Sequence, residues 1–472
     1  MQRRNFLIMG SSAMLLPAMS QAAARRESCD IVVVGAGGAG LAAAVTAADL
    51  GAKVVVLEKM PVIGGNTQLA AGGMNAAGTQ LQGQKEVKDD WRSMYADTMK
   101  GGRDHNDPAL VEIMTRGSSD AVDWLTAIGG EFPNLKRSGG ASAVRTHQPA
   151  GGHAFGPYVT RVLYAAALQR GITVRTRSRV VELVKGANGA AAGVVVQDAR
   201  GVPYTIDAKA VIIASGGYGS NAERVAKYRP DFARFTSTGQ PGTTGDGQEL
   251  VQGLGGDVYD LDLIQIHPTQ AVGSKTLISE TVRGAGAILV NREGRRFVDE
   301  VTTRDRASAA VLKQTGRSAF LIFDHGVRTS MKMMDGYDHL GLIKSGATAA
   351  ALAQKIGVDG QGLAATIAAY NRYQADKKDA EFGRADMPRP LVAADFHAIE
   401  VQPGIHFTMG GVRIDPRTRV LRADRSVVKG LYAAGEVTSG VHGKNRLGGN
   451  SMTALFTFGP IAAREAVAYI QA

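Results

Sequence analysis

Along this chain the spacing of apolar positions switches between strand-like runs and helical stripes, and the switch is sharpest near the start. Ile31-Val32-Val33-Val34 is an uninterrupted apolar run that predicts a strand buried on both faces. An alanine-rich segment follows from about Gly38, and Lys53-Val54-Val55-Val56-Leu57-Glu58 is a second run of the first kind. The unit reads strand, turn, helix, strand. Three β-type runs come later, Val180 to Val184, Ala191 to Val196 and Tyr204 to Ala214, with Asn188-Gly189 predicting a hairpin between the first two. The last of these stops in Ser215-Gly216-Gly217, and Leu431-Tyr432-Ala433-Ala434 stops in Gly435-Glu436. A buried strand that ends in glycine therefore occurs three times.

Helical stripes fill the gaps. Asp107-Pro108 supplies an N-cap and a proline at N1, and Leu110, Ile113, Met114, Ala121, Trp124, Leu125 and Ile128 predict one helix running to Gly129. Another is expected from about Pro157 to Arg170, and Asn450-Ser451-Met452 reads as a helix start. From about Asp262 to Phe407 the glycine doublets vanish and polar residues gather. This stretch carries a strand at Ala287 to Val290, a turn at Asn291-Arg292-Glu293-Gly294, and helices at Ala347 to Ile356 and Gly362 to Asp376. The expected fold class is α/β: a Rossmann-like dinucleotide-binding domain in two pieces, residues 25–261 and 408–472, interrupted by an α+β capping lobe, residues 262–407.

The chemistry of the first turn follows from its glycines. In Gly35-Ala36-Gly37-Gly38-Ala39-Gly40, Gly35 permits the tight turn, Gly37 lets backbone approach a pyrophosphate, and Gly40 allows close helix-on-strand packing. The helix N-terminus offers unpaired N–H groups to the phosphates. Glu58, about 18 residues after Gly40, stands where an acid accepts from a ribose hydroxyl. Gly64-Gly65-Asn66-Thr67 and Ala70-Ala71-Gly72-Gly73-Met74-Asn75 read as loops lying against a flat ligand, and Gly245-Asp246-Gly247 as a turn whose acid can accept from a ribityl or ribose hydroxyl. His147 and His153 bracket a loop and can line a site or be structural. The N–H groups at Asn450 and Ser451 can stabilise negative charge on a reduced cofactor.

Composition removes several classes of function. The 472 residues are 44% hydrophobic and 21% charged, which describes folded lobes rather than a disordered chain. One cysteine, Cys29, excludes an intrachain disulfide, covalent haem, an iron–sulfur cluster and a structural zinc, and no metal site is expected. No run of 18 apolar residues occurs, so no membrane span is expected in the mature chain. The formal charge of +11 is scattered, without the clustered patch of a nucleic-acid groove. Residues 1–24 open with Arg3-Arg4-Asn5-Phe6-Leu7, continue apolar and close on Ala22-Ala23-Ala24, the pattern of a twin-arginine-type export signal. The periplasm is the expected compartment.

Taken together, these residues resemble the flavoprotein family of fumarate reductase and succinate dehydrogenase, closest to its soluble periplasmic branch. The resemblance runs from about Ser28 to Ala472 and is most specific at Gly64 to Asn75, Gln265 to Thr269, Glu280 to Arg304, His406 to Gly411 and Asn445 to Asn450. It implies FAD in the first lobe, held by Gly35, Gly37, Gly38, Ala39, Gly40, Glu58, Lys59, Gly65, Asn66, Thr67, Ala71, Gly72, Gly73, Gly216, Asp246, Gly435, Glu436, Arg446, Gly449, Asn450 and Ser451. Asn66 stands about where membrane-complex relatives attach FAD through histidine, so the cofactor is expected to be noncovalent.

The resemblance also implies that Arg304 is the proton donor, reprotonated through Glu280 and Arg283. His406 and Arg446 would hold one carboxylate of an unsaturated dicarboxylate, and His267 and Ser279 the other, with Gln265 beside them. Ser279 replaces the threonine of the branch and Leu277 its usual methionine. Hydride transfer from flavin N5 to an enoate puts negative charge on the neighbouring carbon and its carboxylate, and arginine and histidine supply fixed cations and donors there. Electrons would come from a separate donor such as a periplasmic or membrane-anchored cytochrome. Fumarate is the first substrate expected; another 2-enoate (urocanate, an arylacrylate, methacrylate), a ketosteroid-type desaturation, or an FAD-carrying subunit without its own chemistry are the alternatives.

Overall fold

The computed structural model describes residues 25–472, and the export signal expected over residues 1–24 lies outside them. The opening unit folds as its pattern predicts, with strand β1 at Arg26–Val34, helix α1 at Gly38–Asp49 and strand β2 at Val54–Leu57. Residues Ile31 to Val34 pair in parallel with Val54 to Leu57 on one side and with Ala210 to Ile213 on the other, and all four side chains, which alternate between the two faces, are buried. The central sheet takes the order Arg419–Leu421, Val427–Ala433, Pro203–Ile213, β1, β2, Thr173–Arg175. The predicted hairpin, Arg179–Lys185 with Ala191–Gln197, is hydrogen-bonded to the Pro203–Ile213 strand, and Asn188 adopts the left-handed conformation its turn requires. The three strands that run into glycine, at Gly35, Gly216 and Gly435, are parallel neighbours, so their C-terminal ends lie side by side at one end of the sheet.

A second sheet forms within the stretch read as an insertion. Ile264–Ala271 pairs with the long strand Phe396–Thr408, which also pairs with Ala319–Asp324 and Lys344–Gly346, and Ile288–Val290 closes the far edge. The expected helices lie at Ala349–Ile356 and Gly360–Ala375. Its apolar core, from Ala271 through Leu289 and Phe323 to Val401, is separate from the core built around β1, α1 and the C-terminal helix Asn450–Gln471. A third, small sheet of Met74–Asn75, Thr146–Gln148 and Asn134–Lys136 belongs to the first half of the chain.

One predicted helix is two. The stripe from Pro108 to Ala127 breaks at Gly117 into Pro108–Arg116 and Ser118–Ala127. Both pieces pack on the C-terminal helix, whose Thr457 Cγ2 would lie 3.0 Å from a Cβ at position 117, and Ser118 Oγ donates to Thr115 O at the joint. The apolar stripe continues across the bend, which is why spacing alone does not reveal it.

Candidate active site

One long cavity starts at the glycine ends of the central sheet and reaches the second sheet. At its first end Gly35 has φ +108°, and a Cβ there would stand 2.5 Å from Ala214 O; at Gly40 a Cβ would stand 1.9 Å from Gly35 O. Nothing lies within 3.8 Å of a Cβ at Gly37, which keeps room for a ligand beside the N-terminus of α1. Glu58 lines this end: its Oε2 accepts from Ala36 N at 3.0 Å and its Oε1 from Met60 N at 2.8 Å, and each oxygen keeps acceptor capacity beyond that one bond. A glycine-lined slot between two helix N-termini, with an acid at one end, fits FAD in shape and donor chemistry.

Of the residues expected to hold FAD, Gly35, Gly37, Gly38, Ala39, Glu58, Lys59, Gly65, Asn66, Thr67, Ala71, Gly72, Gly73, Gly216, Asp246, Gly435, Glu436, Arg446, Gly449 and Ser451 line the cavity. Gly40 and Asn450 do not. Gly40 is spent on the contact with Gly35, and the Asn450 side chain turns inward to Asn75 and to Thr98 Oγ1. Asp246 is the first residue of the helix Asp246–Gly253 rather than part of a free turn. Its carboxylate is already engaged by Lys59 at 3.1 Å and Arg179 at 3.0 Å, which leaves fewer lone pairs for a ligand hydroxyl. Asn66 donates to Glu436 Oε2 at 2.9 Å and accepts from Gln240 N at 2.8 Å, tying the second glycine loop to the third strand end. Burial raises the Glu436 carboxyl against the donors Asn66 and Thr408.

At the other end the lining turns cationic. Arg304, at the first turn of the helix Arg304–Leu312, sends Nε and Nη2 to Glu280 Oε2, both at 3.0 Å, and Nη1 to Gln265 Oε1 at 3.0 Å. Gln265 lies outside the cavity wall; its Nε2 donates to Asn445 Oδ1 and Arg446 O, both at 2.8 Å, so it joins Arg304 to the Arg446 loop. Arg283 is also withdrawn, fully buried behind Glu280 and donating to Glu300 O. Burial, only partly offset by Glu280, lowers Arg283 to about 10. Burial pushes the Glu280 carboxyl up, but Arg304, Arg283 and Lys136 together outweigh it and hold the group at about 2.

Facing Arg304 are His267, Ser279, His406 and Arg446, all on the cavity wall. The two imidazoles lie 5.1 Å apart, His406 Nδ1 pairs with Thr238 Oγ1 at 2.9 Å, and His267 Nδ1 sits 3.2 Å from Thr269 Oγ1. Burial first, then the surrounding arginines, drives both histidines well below their ordinary value, so both are neutral. Arg446 stacks 4.4 Å over the Phe407 ring and reaches Ser451 Oγ at 3.2 Å. His267 Nε2 and Arg446 Nε are buried without a hydrogen-bond partner among the described residues. Unspent buried nitrogens among several cations are what an anionic ligand would satisfy.

Some residues here escaped the reading of the sequence. Gly448 packs so closely that a Cβ would stand 2.1 Å from Glu280 Oε1, and Asn75 holds that loop by donating to Gly448 O at 2.7 Å. Thr238, Gly239, Gln240 and Thr243 form a cavity wall, and the glycines of Gly239-Gln240-Pro241-Gly242-Thr243 were the available signal. His147 is structural: it is buried and paired with Thr79 Oγ1 and Arg145 O. His153 is exposed and off the cavity.

Comparison with known proteins agrees with this geometry. Residues 30–452 match the family described as FAD binding domain. The chain is 49% identical over 448 residues to a fumarate reductase (cytochrome) of Shewanella frigidimarina, covering 95% of this chain and 78% of that one. It is 35% identical to a urocanate reductase of Eggerthella lenta, covering 93% of this chain and 74% of that one. The open conformation of a flavocytochrome c3 fumarate reductase superposes with a TM-score of 0.80 at 45% identity, covering 94% of this chain and 79% of that one. The chain therefore belongs to the FAD-binding flavoprotein oxidoreductase family that includes these fumarate reductases.

Proposed function

We propose that this protein reduces the C=C bond of fumarate to succinate, as an exported periplasmic enzyme that draws electrons from a separate carrier such as a cytochrome. The observation that carries the reading is Arg304, held by Glu280 and Gln265 at the end of the FAD-type cavity and facing His267, His406 and Arg446. Noncovalently bound FAD would supply the hydride. Arg446 and His406 grip one carboxylate, and His267 and Ser279 the other. Buried and neutral, the histidines donate hydrogen bonds without adding charge, and the guanidinium supplies the fixed cation where negative charge grows.

Arg304 gives its proton to the neighbouring carbon. Arginine is an unusual acid, since its pKa exceeds about 12. The acceptor, however, is a carbanion-like carbon, and Glu280 at 3.0 Å can relay to the neutral guanidine a proton that it first takes up from the side of Arg283 behind it. A second reading, reduction of another 2-enoate, is favoured by Leu277 and Ser279 on the cavity wall, at the positions where the resemblance implies the usual methionine and the threonine of the flavocytochrome branch. The charged cluster speaks against an apolar sterol. The test is oxidation of reduced viologen by the purified FAD protein with fumarate, urocanate, cinnamate and methacrylate. Fast turnover with fumarate alone supports the two-carboxylate reading. Preference for a monocarboxylate reassigns the His267 and Ser279 end, and no turnover on any acid leaves an FAD-carrying subunit.

A further inference from the structure

Behind the cationic end of the cavity, a lysine crosses from the first half of the chain to the helix that carries Glu280. Lys136 closes the Asn134–Lys136 strand of the small sheet, and its Nζ donates to Thr281 Oγ1 at 2.6 Å, across 145 residues of sequence. Thr281 is the second residue of the helix Glu280–Gly284; its Oγ1 also accepts from Ser279 Oγ at 3.0 Å, and its N–H donates to the same Ser279 oxygen at 3.2 Å. One ammonium therefore holds the turn that presents both Ser279 and Glu280.

The other side of Glu280 is supported from the same sheet. Lys136 pairs with Thr146 on the neighbouring strand. Thr146 Oγ1 donates to Asn75 Oδ1 at 2.6 Å, and Asn75 Nδ2 donates to Gly448 O at 2.7 Å. Gly448 is the residue against which Glu280 Oε1 is packed. The small sheet thus grips the Glu280 carboxylate from two directions, by Lys136 through Thr281 and by Asn75 through Gly448.

We propose that Lys136 is a positioning residue for proton delivery: anchored on the small sheet, its ammonium fixes the first turn of the Glu280 helix and so sets the Glu280 carboxylate against Arg304. This rests on the reading of Arg304 and Glu280 as the proton path. Lys136 touches neither substrate nor cofactor. Burial lowers its ammonium to about 8, with Glu280 opposing, so it is charged at neutral pH and loses its charge not far above. The charged groups around it are Glu280, with Arg283 and Arg304 on that same carboxylate; His147 on the adjacent strand is neutral, lowered to about 4 by burial.

The test uses the full FAD-loaded protein with reduced viologen and fumarate. Lys136→Met should keep FAD and lower kcat by at least about 10-fold, with KM rising by a smaller factor because the same turn carries Ser279, since small misplacements of a reacting group are costly. Wild-type kcat should fall above about pH 8, and Lys136→Arg should retain most of the turnover and lack that fall. Wild-type kcat in both Lys136→Met and Lys136→Gln overturns the proposal. So does a parallel loss of FAD, KM and kcat in both, which marks a merely structural lysine. Glu280→Gln separates the two levels: if it turns over normally, the proton path itself is wrong, whereas an inactive Glu280→Gln beside a fast Lys136→Met removes only the role of Lys136.

Discussion

At the dinucleotide end of the cavity the working surface is backbone: glycines that admit no Cβ, helix N-termini, and side chains such as Glu58 and Asp246 whose bonds are largely made within the protein. At the cationic end it is side chains, and His267 Nε2 and Arg446 Nε are left unpaired. The first end is built to fit a shape; the second is built to be completed by charge. A substitution at the first should therefore cost cofactor affinity, and one at the second should cost turnover or substrate binding while FAD stays bound.

Four expected outcomes sharpen that contrast. Gly448→Ala pushes a methyl into the space 2.1 Å from Glu280 Oε1, so turnover with fumarate should fall about 10²-fold or more with flavin absorbance retained. Loss of flavin instead would mean that the two ends are not separable there. His267→Ala removes an unpaired donor; a hydrogen bond to a charged group is worth about 1.5–3 kcal/mol, so KM for fumarate should rise about 10- to 100-fold in steady-state assays. Glu58→Gln should loosen FAD by about 0.5–1.5 kcal/mol in a flavin titration and leave turnover at saturating FAD unchanged. The smallest effect is none: His267 and His406 are held neutral well below their ordinary value, so kcat/KM for fumarate should show no step between about pH 5.5 and 7.5. A step near 6.5 would mean that one of them titrates in the free enzyme.

The same contrast explains what could be read from the chain alone. β1, α1 and β2 were legible because strand period, turn glycines and terminal acid all lie within about 30 residues and point to one answer. The break at Gly117 was not, because the apolar stripe runs on through it, and the close approach of Thr457 at that glycine comes from a helix far along the chain. Arg304, by residue type alone, is an ordinary surface arginine; only the family pattern singled it out, and its partners Glu280 and Gln265 come from 24 and 39 positions away. Gln265, expected beside the substrate, stands behind the wall and bridges Arg304 to the Arg446 loop, and Arg283, expected in the relay to Arg304, lies buried beneath Glu280. Lys136 carried no signal because its partner Thr281 is distant in sequence and unremarkable in type.

The most direct test is a single turnover followed by flavin absorbance. Wild-type and Arg304→Ala protein, each reduced anaerobically and shown to carry equal FAD, are mixed with fumarate. Rapid reoxidation is expected in the wild type and reoxidation slowed about 10²- to 10⁴-fold in the variant, the usual worth of a positioned general acid. Reoxidation of the variant within a factor of a few of the wild-type rate would contradict Arg304 as the proton donor.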